Sequence, residues 1–159
     1  MRIDRRLFLA VLSAPLYPAI PLTVLTIDEA KVVEALCSQI IPADEWPGAK
    51  EAGVLYYIEN QLAGPLAGFA SDYKSGIAAL TGAAQKRFGK AFTEVAFTEQ
   101  KQWLEEIDGS HDSELNRFWQ LVIDHTMQGF YGSPKHGGNK DEASWKMLGI
   151  ADVMEGHKH

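Results

Sequence analysis

A single cysteine, Cys37, stands in a chain of 159 residues, so no disulfide can close within it. The fold must therefore rest on packing alone. Positive charge is also scarce, with 15 lysines and arginines against 21 acids and a net charge of −6. A sequence-independent nucleic-acid binder needs a basic field, and that class is disfavoured. No uninterrupted apolar run reaches the roughly 20 residues that a membrane-spanning helix requires. The apolar stretch near the N-terminus is broken by Pro15, Pro18 and Pro21, which a spanning helix does not readily absorb. Period-two alternation, the mark of a half-buried strand, is nowhere sustained. Absent too are C-x-x-C-H for haem attachment, H-E-x-x-H for zinc and G-x-G-x-x-G after a strand for a dinucleotide.

What is present is an ordinary globular composition, 46% hydrophobic and 23% charged, enough for one domain with one core. Helical periodicity dominates. Thr26 and Glu29 stand at capping-box spacing ahead of Val32, Val33, Leu36, Ile40 and Ile41, and Pro42 ends that run. A turn-rich connector, "IPADEWPGAKEAG", leads to a second helix marked by Val54, Leu55, Ile58 and Leu62. Phe69, Tyr73, Ile77, Leu80 and Ala84 mark a third, in which Gly76 and Gly82 each cost roughly 1 kcal/mol relative to alanine unless close packing uses them. Thr98 is the expected cap of a fourth helix, which Gly109 closes. The fifth carries Leu115, Phe118, Trp119, Val122, Thr126 and Met127 as its apolar stripe. The expectation is an all-α, single compact domain of about five helices with a long ordered C-terminal loop.

The N-terminus differs in kind. Arg2, Arg5 and Arg6 precede Leu7–Leu12, a basic head followed by an apolar run, as in an export signal. Arg5-Arg6 followed by Leu7, Phe8 and Leu9 resembles the twin-arginine export motif, with Asp4 where Ser or Thr is usual and Ala10 where Lys is common. The alternative is a basic amphipathic start with no export role. No clean Ala-x-Ala cleavage site follows. The boundaries read as an export signal over 1–25, a helical domain over 26–150 and a polar tail over 151–159.

Candidate chemistry is thin. Asp124 and His125 are adjacent and point in different directions on a helix. His111, Asp112 and Glu114 crowd a helix start, where acids serve as caps, and His157 and His159 sit in a terminal "GHKH". Cys37 could be paired on paper with His125 or His136, yet nothing in the sequence lowers its thiol pKa. The acid pairs Asp44/Glu45 and Glu105/Glu106 read as solvated faces. No catalytic, cofactor-binding or metal-binding set emerges from this chain. Cys37 itself has two open readings: a buried inert thiol, or an intersubunit disulfide.

Two segments do form a pattern. The first holds Ile41-Pro42-Ala43-Asp44, Gly48-Ala49 and Gly53. The second holds Gly129-Phe130-Tyr131, Pro134, Gly137-Gly138-Asn139, Asp141, Trp145-Lys146 and Gly149. In these motifs, and over Leu36 to Ile150, the chain resembles the gluconate 2-dehydrogenase subunit 3 family. His136 stands where that family usually has an aromatic, and Ala143 or Ser144 where glycine is common.

The resemblance implies a non-catalytic small subunit in a periplasmic, membrane-associated dehydrogenase of the gluconate, glucose, fructose or polyol type. FAD would sit in a large glucose-methanol-choline-type subunit and c-type haem in a multihaem cytochrome c subunit. The small subunit would supply the twin-arginine signal and support its partner's folding and export. The competing reading is a free-standing exported helical adaptor or metal-binding protein.

On this view the partner interface is expected at Trp46, Phe130, Tyr131 and Trp145, loop aromatics of the kind that anchor interfaces. Pro134, His136, Gly137, Gly138, Asn139 and Lys146 belong to the same expected surface. The alternative is that these aromatics pack back onto the chain's own core.

Overall fold

The computed structural model describes residues 21–111 and 113–156. Seven α-helices form among them: α1 (Ile27–Ile40), α2 (Val54–Leu62), α3 (Ala70–Phe88), α4 (Phe97–Gly109), α5 (Glu114–Tyr131), α6 (Ala143–Met147) and α7 (Ala151–Glu155). No strand forms among the described residues, and none of these helices is long and apolar enough to cross a membrane. The all-α expectation holds, with two short helices, α6 and α7, where the sequence suggested loop and tail.

The start of α1 follows its sequence signal. Thr26 Oγ1 accepts from the Glu29 amide at 3.2 Å, and the Glu29 carboxylate accepts from the Thr26 amide at 2.7 Å. This reciprocal box satisfies two amides that the helix cannot. Ser113 caps α5 by accepting from Asn116 N at 3.0 Å. Thr98 does not cap α4: the cap position is Ala96 and Thr98 lies one residue inside the helix, with no side-chain cap bond.

Helix α5 is the hub, packing against α1, α2, α3 and α4. Its buried face holds Phe118, Val122, His125, Thr126, Gly129 and Phe130. Met127, expected in this stripe, is 43% exposed, because the true stripe runs one position round the helix, through His125 and Gly129. Gly76 of α3 earns its place here: a Cβ would lie 2.2 Å from the Phe118 ring, so glycine permits the α3–α5 approach. Gly82 meets nothing and remains an uncompensated helix weakness. On the outer side, Arg87 of α3 grips Glu106 of α4 through two bonds of 2.7 and 2.9 Å, beside the Phe88 and Trp103 rings.

The core is not wholly apolar. His125 is 4% exposed, its ring stacked on Tyr73 with Nδ1 3.1 Å from the Tyr73 hydroxyl. Burial lowers its pKa, and nearby Asp124 only partly opposes this. A neutral imidazole in the folded state has a definite consequence. As pH falls below about 6.5, the unfolded chain takes up a proton that the folded chain resists, and stability declines. Thermal midpoints measured from about pH 7.5 to 5.5 should fall steadily. A Tyr73→Phe/His125→Phe double variant should lose that part of the slope, and an unchanged slope would contradict the assignment.

Candidate partner interface

The two motif segments come together in space. The first is shaped by backbone closeness: Ala49 N donates to Ile41 O at 2.8 Å, and Gly48 N donates to Glu51 Oε2 at 3.0 Å. A Cβ on Gly48 would sit 2.5 Å from Ala43 N and 2.6 Å from Ile41 O, so no other residue fits without moving backbone. Asp44 and Trp46 form a tight turn, Asp44 Oδ1 accepting from Trp46 N at 2.8 Å. That turn lifts the Trp46 ring to 41% exposure.

The second segment is held by Asn139, which is fully buried. Its Nδ2 donates to Gly132 O at the end of α5, and its Oδ1 accepts from Ser144 N in α6, both at 2.9 Å. One amide side chain thus ties both ends of the loop. Trp145 reinforces it, its Nε1 donating to Tyr131 O at 3.1 Å. Gly138 passes so near α5 that a Cβ would lie 2.2 Å from Gly129 O. Lys140 N then donates to Ala52 O at 2.9 Å, joining the second motif to the first.

Where they meet lies a cleft of about 320 Å³ lined by Trp46, Pro47, Glu51, Lys140, Asp141, Ala143 and Lys146. The segment that supplies Lys140, Asp141 and Ala143 to this cleft is unusual in backbone. Asn139, Asp141 and Glu142 all have positive φ, at 48°, 55° and 58°. Asparagine and aspartate are the non-glycine residues that best tolerate that region, while Glu142 pays of order 1 kcal/mol. Such strain concentrates at functional sites and persists only where its surroundings enforce it.

The expected interface residues therefore separate into two groups. Phe130, Gly138, Asn139 and Trp145 are buried within the chain and shape the lobe from inside. Pro134 and Gly137 are half-buried, Gly137 with φ 100° beside Asn60. Trp46, Tyr131, His136 and Lys146 are exposed and available for contact. Pro47, Glu51, Lys140, Asp141 and Ala143 also line the cleft. Asp141 belongs to the second motif, while Pro47, Glu51 and Lys140 carry no sequence signal beyond lying beside the motifs.

Arg5, Arg6, Phe8 and Leu9 lie outside the described residues, as do Asp112, His157 and His159. Among the described residues no group of three His, Cys, Asp or Glu side chains could hold a metal ion. Cys37 is 1% exposed, its sulfur 3.3 Å from Thr126 Oγ1. Burial pushes its thiol up to about 12, the Thr126 contact offsetting only part of this. A group so enclosed presents no sulfur to a partner, which corrects the bridging alternative: Cys37 is an inert member of the α1–α5 contact.

A comparison with curated proteins and one with solved structures each returned no match. A family model, that of gluconate 2-dehydrogenase subunit 3, matches residues 27–151 and includes both motifs that meet at the cleft. The match takes in all of α1 to α6, and on that ground the chain belongs to the gluconate 2-dehydrogenase subunit 3 family.

Proposed function

We propose that this protein is a non-catalytic small subunit of a periplasmic, membrane-associated flavin-dependent dehydrogenase. In this reading the FAD-carrying subunit of the glucose-methanol-choline type docks on the cleft, and a multihaem cytochrome c subunit completes the complex. FAD and c-type haem belong to those partners. This chain supports the flavoprotein's folding and carries it through the twin-arginine route on the Arg5-Arg6 signal.

One observation carries the proposal: two motifs distant in sequence build a single exposed cleft whose fixed shape costs backbone strain. A chain with no partner gains nothing from holding Trp46 half in water over a strained loop. The mixed lining suits a protein surface, with an aromatic and a proline for apolar contact and charges of both signs at the edge.

The test pairs the chain with a flavoprotein of the proposed partner type. Arg5→Lys/Arg6→Lys should strand both proteins in the cytoplasm, read as flavoprotein activity in periplasmic and cytoplasmic fractions. Normal export of the flavoprotein after that change would refute the carrier role.

A further inference from the structure

Glu59 of α2 is 1% exposed and has no cationic partner among the described residues. Its carboxylate instead takes the backbone of the segment that leads into α1. Oε1 accepts from Thr23 N, from Thr23 Oγ1 at 3.0 Å and from Val24 N at 2.7 Å; Oε2 accepts from Leu25 N at 3.2 Å. Burial opposes the charge, but these backbone bonds outweigh it and hold the carboxyl below its ordinary value. The segment is also packed: Leu25 is 3% exposed, and Leu22 and Val24 lie partly buried against the core. Leu22 to Leu25 therefore pack with the folded body.

From this geometry we infer that Glu59 clamps Thr23–Leu25 into the folded body and closes the junction between the N-terminal segment and the domain to proteolytic processing. A protease binds its substrate extended, pairing with backbone groups on both sides of the cut. Here three consecutive amides are already committed to a buried carboxylate, and freeing them strands that charge without donors. The sequence points the same way. Between Leu7 and Thr26 no two small residues stand two apart, the spacing a leader-removing peptidase reads. The twin-arginine route carries folded cargo, so the closed junction is the form a periplasmic peptidase would meet. That last consequence rests on the export reading above; the closure itself does not.

Limited digestion of the full chain with thermolysin, which cuts ahead of bulky apolar residues, tests the closure directly. The native protein should yield a stable fragment beginning at Leu22 or earlier. In Glu59→Gln, cutting ahead of Leu25 and Ile27 should rise roughly tenfold or more, following the larger open population. Val24→Pro removes one donor while leaving the carboxylate and the fully buried core in place, at the cost of part of the Val24 packing, and should show the same rise. It decides the matter where Glu59→Gln fails to fold. A native fragment beginning at Val24, Leu25 or Ile27, or a Val24→Pro variant cut no faster than the native chain, would overturn the inference. N-terminal sequencing of the exported protein adds a separate readout: a start at or ahead of Leu22 supports the closure, and a start within residues 23–28 overturns it. A chain found only in the cytoplasm overturns the export reading alone, with the digestion deciding the closure.

Discussion

Asn139→Ala is expected to destabilise the protein by about 2–4 kcal/mol and to free the segment 132–150 from the body. The change removes one buried and one part-buried hydrogen bond and leaves Ser144 N and Gly132 O without their partner. The buried Ser144 N left unsatisfied costs about 1–3 kcal/mol, while water can reach the part-buried Gly132 O and keeps its cost small. Alanine also tolerates the left-handed backbone at position 139, with φ 48°, less well than asparagine does, adding about 1 kcal/mol. Asn139→Gly relieves the backbone but not the lost bonds and should fall between the two. Denaturant unfolding measures the loss, and amide exchange over 132–150 locates it. A loss under about 0.5 kcal/mol, the scale of ordinary surface changes, would mean that Asn139 does not hold the lobe.

Trp46→Ala should behave in the opposite way. The ring is 41% exposed and its turn is made by backbone and Asp44, so the isolated chain should keep its stability within about 0.5 kcal/mol. Binding to the flavoprotein should weaken by roughly thirtyfold or more, the scale of losing an aromatic anchor of about 2 kcal/mol. Lys146→Glu, at the edge of the same cleft, should weaken binding less and in a salt-dependent manner, since rim charges act mainly on association. Asn139 and Trp46 thus separate shape from contact: one change disrupts the lobe, the other leaves it standing and unable to dock.

The helices were legible because each signal was local. The Thr26–Glu29 box and the apolar faces of α1 to α3 need only neighbours three or four residues away. Thr98 misled because a cap residue is defined by the backbone ahead of the helix, and α4 begins at Phe97. The stripe of α5 was read one position off because His125 and Gly129 do not look like core residues. His125 is buried through its bond to Tyr73, and Gly129 because the Tyr57 ring occupies the space its Cβ would need.

The lobe was legible as a motif and not as a shape. Nothing in "HGGNKDEASW" tells that Asn139 and Trp145 face inward, for their partners are backbone carbonyls at the end of α5. Trp46 and Trp145 each follow closely on an Asp-Glu pair, yet one is half-exposed and the other buried. The clamp at Glu59 was invisible for a similar reason. A glutamate on an apolar helix reads as solvent-facing, and its donors lie more than thirty residues earlier.

Co-expression with the flavoprotein tests the central claim most directly, reading soluble, FAD-loaded catalytic subunit in three strains: with the native chain, with Trp46→Ala, and with no small subunit. High yield and co-purification are expected with the native chain, and a marked fall in both with Trp46→Ala towards the level seen without it. Equal amounts of loaded, active flavoprotein in all three strains would contradict that claim.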